Sequence, residues 1–154
     1  MSAYVLVKTL HILSATLLFG TGLGSAFYMW RADRSGDTAA IAFAARNVVT
    51  ADWLFTLPAI VFQPLSGLWL AWHLGMTLTE PWLLWSYGLY LLAGVCWLPV
   101  VWLQIRMRDL SAAALAQGAA LPGGYHRCMA VWFVLGWPAF LAVIAIFYLM
   151  VAKP

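Results

Sequence analysis

The chain has 154 residues, of which 65% are apolar, only 8% are charged and ten are Trp. A water-soluble domain of this composition would have too little polar surface to cover its core, so the sequence predicts a membrane protein. The net charge of +3 is small and scattered, which argues against nucleic acid as a partner. The lipid bilayer is therefore the first partner that the sequence implies.

Four apolar segments are free of charge and long enough to cross a bilayer at about 1.5 Å of rise per helical residue. They cover residues 12–30, 53–72, 81–105 and 128–152. We predict an all-α membrane fold: a four-helix bundle in one integral membrane domain, residues 1–154, with helices at about 4–30, 51–77, 82–106 and 127–151. The first helix is too long, and begins too near the N-terminus, for a cleaved signal peptide, so we expect it to be retained.

The Arg residues mark the side of the membrane on which each connection lies. All of them fall between the first and second or the third and fourth predicted helices: Arg31, Arg34, Arg46, Arg106, Arg108 and Arg127. Under the positive-inside rule both connections are cytoplasmic and both termini lie outside. The Ala-rich stretches 38–49 and 111–117 predict helical extensions in these loops, and Asp37 is predicted to cap the first of them.

Small residues cluster in the second half of the first predicted helix. Gly20 and Gly24 form a small-xxx-small pair, which lets another backbone approach closely. We expect this face to pack inside the bundle. The alternative is dimerisation through the same motif, which would make the protein a homo-oligomer.

Polar residues recur at helical three-and-four spacing on two of the predicted helices. The first helix carries His11, Ser14, Leu18, Thr21 and Ser25, with Lys8 one turn before His11. The second carries Asp52, Thr56, Ala59, Gln63, Ser66, Leu70 and His73. A polar side chain in lipid must find a partner, so both faces are predicted to point into the bundle. At the cytoplasmic end of this stripe, Asp52 is expected to pair with Arg46.

His11 is the main candidate for a functional residue because it lies about 10 Å below the outer end of its helix. An intramembrane His can be a hydrogen-bonded packing residue, a proton carrier, a quinone contact or a haem axial ligand. If the second helix continues to about Thr79, His73 lies at a comparable depth. Two imidazoles facing across a bundle at one depth suit a b-type haem. If that helix ends near Gly75, His73 is instead an ordinary interfacial residue.

Four further side chains complete the predicted site. Lys8 is placed to meet a haem propionate, Trp69 to line an interior cavity, and Ser14 to share the polar stripe of His11. Gln63 precedes Pro64 and is expected to satisfy a carbonyl that the proline frees, in preference to contacting a ligand. The predicted cofactor-binding residues are His11, His73, Lys8, Ser14, Gln63 and Trp69, and the predicted metal ligands are His11 and His73.

The run Lys8-Thr-Leu-His11-Ile, with Phe19-Gly20 and Ala26-Phe27-Tyr28 after it, resembles the first helix of a superfamily of small bacterial membrane proteins. These include HemJ-type membrane protoporphyrinogen oxidases and CopD-type copper-resistance proteins. Over nearly the whole chain, segments 18–24, 62–69, 81–85 and 136–140 resemble a family catalogued as a domain of unknown function (DUF2269-like). The resemblance implies a multi-pass protein of the bacterial inner (plasma) membrane.

In the HemJ-type family the first-helix His is tied to haem binding, and the resemblance places that role on His11. Where that family has Trp-Leu-His followed by a required Lys, this chain reads Trp82-Leu83-Leu84-Trp85-Ser86. The resemblance therefore does not extend to protoporphyrinogen oxidation, and whether the protein is an enzyme stays open.

Together these features predict a small membrane protein that binds haem b, or a related hydrophobic redox ligand, near the outer face. Its role would be electron transfer, with a quinone or a redox protein as partner. Two alternatives remain open: a non-enzymatic membrane scaffold or accessory subunit, and a small transporter that uses the same polar path.

The placement of the Arg residues leads to a topology prediction. A Cys added after Pro154 should react with a membrane-impermeant thiol reagent applied to intact cells, because both termini are expected outside. The two native Cys residues, changed to Ala in the same background, provide the control for specificity. Labelling only after permeabilisation would reverse the orientation.

Overall fold

The structure, a computed structural model, describes residues 2–153, so the predicted domain limits at Met1 and Pro154 lie outside the described residues. Its helices are α1 (Ala3–Ser35), α2 (Thr38–Ala51), a π-helical segment (Asp52–Thr56), α3 (Leu57–His73), α4 (Pro81–Ala116) and α5 (Gly123–Ala152). Within residues 2–153, four helices are long and apolar enough to cross a membrane: Ala3–Ser35, Thr38–His73, Pro81–Ala116 and Gly123–Ala152. The predicted all-α fold with four spanning helices is confirmed.

The helices extend beyond the membrane at the Arg-bearing end. At 33 to 36 residues, the first three spans are about 50 Å long, whereas the hydrocarbon core is about 30 Å thick. Near the two connections at this end, a buried cluster joins α1, α2, α4 and α5 around Met29, Ile41, Met107 and Tyr125. The Tyr125 hydroxyl donates to Asp33 Oδ1 at 3.1 Å. These helical extensions are therefore packed against one another. The extensions that the Ala-rich stretches predict are confirmed.

The spans are arranged as a bundle in which α1 packs on α2 and α3, α2 on α4, and α4 on α5. Aromatic side chains connect α5 back to α1, because Phe19 stacks on Phe140 with ring centroids 4.9 Å apart. At the opposite end from the Arg residues, Trp82 and Leu83 of α4 pack with Ala71 of α3. Large apolar side chains cover the outside of the bundle, as expected of a surface that faces lipid.

Local chemistry sets the ends of the helices. Asp37 caps α2 as predicted, since its Oδ1 accepts the Ala39 N–H at 2.9 Å. Helix α3 ends at His73 because Gly75 adopts φ +65° and its N–H turns back to the Trp72 carbonyl. Such a left-handed residue after the helix favours glycine. The second span therefore stops at residue 73 and does not continue to about 77.

Four prolines lie in the interior of the spans and lack the N–H that a helix carbonyl accepts: Pro58, Pro64, Pro99 and Pro138. The local structure around Pro64 and Pro58 shows two ways in which the bundle accommodates them. Pro64 cannot donate to the carbonyl of Ile60, and the Tyr90 hydroxyl from α4 donates to that carbonyl instead. Pro58 lies two residues after the π-helical segment, at whose end the Leu57 N–H donates to the Asp52 carbonyl. The helix continues through Pro58, which has no N–H to donate, immediately after this wider turn.

The glycine face of α1 does not pack as expected. A Cβ added at Gly20 or Gly24 would meet no other atom of the described chain within 4 Å. The expectation that this face packs inside the bundle is wrong, because the neighbouring helices contact α1 elsewhere, as Phe19 does on α5. Dimerisation through the same face stays a prediction.

The contact between Tyr90 and the carbonyl of Ile60 predicts a double-mutant effect. Tyr90→Phe leaves a carbonyl in the bundle without a donor and should lower the free energy of unfolding by about 1–3 kcal/mol. Pro64→Ala restores the helical donor, so Tyr90→Phe should cost less in that background. Unfolding by denaturing detergent measures both values, with the exposed Tyr148→Phe as the control. Equal costs in both backgrounds would contradict this account.

Candidate functional site

The candidate site centres on His11 of α1, which reaches across to α3. Its Nδ1 lies 2.7 Å from the Oγ of Ser66. Ser66 is buried, with 4% of its surface exposed, and its Oγ lies 2.6 Å from the Phe62 carbonyl oxygen and 3.2 Å from that of Gln63. An imidazole, a hydroxyl and a helix backbone thus form a single chain of hydrogen bonds.

The hydrogen bonds of Ser66 assign the tautomer of the neutral His11 ring. A serine hydroxyl has one hydrogen, and the short contact assigns that hydrogen to the Phe62 carbonyl, which can only accept. Ser66 Oγ must therefore accept from His11, so Nδ1 carries the imidazole proton. In the neutral ring the lone pair then resides on Nε2. A bond at one ring nitrogen is how proteins set the tautomer of a ligating His.

Two further contacts from α3 hold the His11 residue in position. The Gln63 side-chain amide donates to the His11 carbonyl oxygen at 2.8 Å. A Cβ built on Gly67 would lie 3.4 Å from His11 Cε1, so the ring packs directly over this glycine. Gln63 therefore connects α1 and α3 by a hydrogen bond, as a packing residue would. The carbonyl that it satisfies is that of His11 and not, as we expected, the one that Pro64 frees. The carbonyl freed by Pro64 is satisfied by Tyr90.

The Nε2 atom of His11 remains available. It has no hydrogen-bond partner among the described residues, and it is not one of their fully buried unpaired polar atoms. The side chain as a whole is half-buried. A neutral nitrogen in this state can ligate a metal or accept a hydrogen bond, but it cannot donate one.

Ser14 lies three residues after His11 on the same face of α1. Its side chain is buried, with 9% of the residue exposed, and its Oγ has no hydrogen-bond partner within residues 2–153. An unpaired hydroxyl in an apolar setting is costly unless something satisfies it. Ser14 thus adds a second unused polar atom to the first polar stripe.

A second group of predicted residues lies closer to the end of the bundle that carries the N-terminus. The His73 ring stacks on Trp69, with centroids 4.9 Å apart, and on Tyr4, with centroids 5.6 Å apart. Lys8 Nζ lies 5.5 Å from the centroid of the Tyr4 ring. Both His73 and Lys8 are exposed, as expected for interfacial positions.

The structure does not bring His11 and His73 together. His11 contacts Ser66, whereas His73 lies seven residues further along α3, or about 10 Å by helical rise. The antiparallel register of α1 and α3 pairs His73 with Tyr4 instead. Equal depth required α3 to continue to about Thr79, but the turn at Gly75 ends it earlier. No group of three or more His, Cys, Asp or Glu that could hold a metal ion occurs in residues 2–153.

Sequence reasoning missed three contributors to these two groups: Gly67, the Phe62 carbonyl and Tyr4. Tyr4 carried a signal, because it lies seven residues before His11 and so on the same helical face. Gly67 carried only the weak signal of a small residue beside a polar one. The Phe62 carbonyl is backbone and has no sequence signal.

The packing of His11 over Gly67 predicts a difference between two glycine substitutions. Gly88→Ala, at a helical position with open space around it, should stabilise the protein by about 0.5–1 kcal/mol. Gly67→Ala should gain less or lose stability, because its methyl group presses on a ring already tied to Ser66. Detergent unfolding measures both changes. An equal gain at the two positions would show that His11 moves freely.

Comparison with known proteins identifies the sequence family of the chain. No curated protein and no solved structure matches the chain. A sequence family described as "Predicted integral membrane protein (DUF2269)" matches residues 5–154. This range includes all the spanning segments apart from two residues at the start of α1. The chain therefore belongs to this family of integral membrane proteins.

Proposed function

We propose that this multi-pass membrane protein binds haem b, or a related hydrophobic redox ligand, through His11 and serves in electron transfer. The observation that carries the proposal is the hydrogen bond from His11 Nδ1 to Ser66 Oγ, which leaves the Nε2 lone pair free and accessible. A neutral imidazole with one nitrogen anchored by the protein is the form that ligates haem iron. A porphyrin brings four nitrogen donors of its own, so one protein imidazole is sufficient to hold it.

The same geometry helps to choose between redox ligands. A quinone presents carbonyl oxygens, which need a hydrogen-bond donor, whereas Nε2 of His11 offers only a lone pair. A metal centre or a quinol hydroxyl would match that lone pair. The tautomer therefore favours haem over an oxidised quinone.

Other residues of this chain have roles that follow from their positions. Ser66 orients the imidazole, Gln63 anchors the backbone of α1, and Ser14 offers a hydroxyl one turn from His11. Lys8 is exposed one turn towards the N-terminus from His11, where its ammonium group can pair with a ligand carboxylate. When bound, haem would supply the one-electron chemistry.

His73 takes a different role from the one that the sequence suggested. Because it lies about 10 Å from the layer of His11 and stacks between Tyr4 and Trp69, it does not complete an axial pair with His11. Its exposed imidazole edge lies where a redox partner or a polar ligand group would approach the protein. A second axial ligand, if haem has one here, comes from elsewhere.

The scaffold alternative interprets the same contacts as packing alone. In that case the bond between His11 and Ser66 merely joins α1 to α3, as polar contacts between membrane helices often do. The available Nε2 of His11 and the unpaired Ser14 hydroxyl favour a ligand, because packing contacts alone would leave both atoms without a hydrogen-bond partner. A transporter using the same polar path, and assembly into homo-oligomers, remain further alternatives.

A visible absorption spectrum tests the proposal. Protein purified in mild detergent from haem-replete cells should show a stoichiometric Soret band that shifts on reduction. His11→Ala should lose most of the bound haem. His126→Ala, which changes an exposed His at the start of α5, should not. His73→Ala should leave the coordination unchanged.

Ser66→Ala provides a sharper test, because it keeps the ligand and removes only its anchor. The matched control is Ser86→Ala: Ser86 is also buried and also donates to the carbonyl four residues earlier, but it is on α4 and bonds to no His. Haem affinity should fall about 10- to 100-fold for Ser66→Ala and stay unchanged for Ser86→Ala. A wild-type protein that is colourless and takes up no added haem would reject the haem proposal.

A further inference from the structure

A second polar centre lies in the π-helical segment, far from His11. Asp52 is 6% exposed and Gln104 of α4 is 5% exposed, and both line one small cavity of about 40 Å³. Asp52 Oδ2 and Gln104 Oε1 are both buried and have no hydrogen-bond partner in the described part of the chain. A carboxyl oxygen and an amide oxygen, neither with a donor, thus lie at the same cavity.

The other carboxyl oxygen of Asp52 is already satisfied. The Thr56 hydroxyl donates to Asp52 Oδ1 at 2.8 Å. The π-helical turn makes room for this arrangement, because the Leu57 N–H donates to the Asp52 carbonyl five residues earlier, one residue further than in an α-helix. Oδ1 therefore acts as the accepting oxygen, and Oδ2 is the position left for a proton.

No positive charge compensates this carboxyl group within the described residues. The expected pair with Arg46 is not formed, because Arg46 is exposed and the ion pair found in residues 2–153 joins Arg108 to Asp109. The other residues that line the cavity have no titratable side chain: Val49, Trp53, Leu57, Trp97 and Val101. An ionised carboxylate buried without a partner is strongly disfavoured.

Among the described residues, the helices packed against Asp52 place no other charged side chain in the lining of this cavity. Between residues 12 and 30 of α1 the titratable side chain is Tyr28, which is exposed. On α4, Tyr90 bonds to the Ile60 carbonyl, Cys96 is a free thiol, and Arg106 is exposed. Residues 129–147 of α5 contain no titratable side chain.

We propose that Asp52 and Gln104 form an exchangeable proton-binding site. The proton is carried on Asp52 Oδ2 and donated to Gln104 Oε1, directly or through one water in the cavity. One proton on Asp52 thereby supplies the donor that both unpaired oxygens lack. On release, Asp52 becomes a carboxylate and the proton passes to water. Buried carboxyl groups of this kind mark proton relays in membrane proteins, and π-helical turns often mark functional sites.

A metal cation fits the same cavity less well. Sodium- and calcium-type sites surround the ion with about six or more oxygen ligands, whereas this cavity offers two unpaired side-chain oxygens. The cavity volume is also close to that of one or a few water molecules. The proton is therefore the ligand that the geometry supports.

Infrared spectroscopy of the protein in lipid bilayers at neutral pH tests the site. The C=O stretching band of a protonated carboxyl group should be present, should move to lower frequency in D₂O, and should vanish in Asp52→Asn. Asp109→Asn is the control, because Asp109 is exposed and paired with Arg108. Gln104→Leu removes the acceptor and should shift the band without abolishing it. His11→Ala should leave the band in place, so this test is independent of any haem.

Thermal stability gives a second readout, since Asn has the shape of a neutral Asp and can donate to Gln104. Asp52→Asn should therefore keep the wild-type melting temperature, whereas Asp52→Ala should lower it. Four results would overturn the proposal: no protonated-carboxyl band in the wild type, a band that persists in Asp52→Asn, conversion to carboxylate on adding NaCl, or a band that does not shift in D₂O, because the proton would then not exchange.

Discussion

The absence of water in the hydrocarbon core is the constraint on which this structure depends. Every buried donor and acceptor must find its partner inside the protein. The carbonyl freed by Pro64 accepts from Tyr90, and the helix before Pro58 widens into a π-helical turn. Polar side chains are likewise used to connect spans, as Gln63 does by bonding to the His11 carbonyl. The pairing of α1 with α3 thus rests on hydrogen bonds as well as on apolar packing.

Against this background, the atoms that remain unpaired stand out. At His11 the chain of hydrogen bonds ends in a lone pair on Nε2, and at Asp52 it ends in two accepting oxygens. The first centre can therefore bind an acceptor of an electron pair, and the second can bind a proton. They lie on one polar stripe of the second span, with Ser66 and Asp52 about 21 Å apart by helical rise. A ligand centre near one end and a proton site near the other would together suit a protein that handles electrons and protons.

The three-and-four spacing of polar residues predicted much of this arrangement. It placed His11, Ser66 and Gln63 on facing stripes, and the structure brings these three together. The helix count and the helical extensions followed from hydropathy and from the Ala-rich stretches, because both are properties of composition and period. Packing between α1 and α3 then required only that the polar faces meet.

What the sequence could not supply depends on register and backbone. The expected depth of His73 depended on where α3 ends, and the sequence allowed two end points, near Gly75 and near Thr79. The turn at Gly75 selects the first. The tautomer of His11 depends on the Phe62 carbonyl, which spacing alone does not place. The glycine face of α1 had the pattern of a helix contact, yet no helix in the described part of the chain packs against these glycines. The periodicity of side chains identifies which face of a helix is polar or small, but not which helix packs against that face.

The central claim is that Ser66 holds His11 with its proton on Nδ1 and its lone pair on Nε2. Solid-state ¹⁵N nuclear magnetic resonance of histidine-labelled, ligand-free protein in bilayers measures this directly, with His11→Ala identifying the signals. The account predicts a protonated Nδ1 and an unprotonated Nε2 at neutral pH, and a mixture of tautomers in Ser66→Ala. A proton on Nε2 in the wild type would contradict the account.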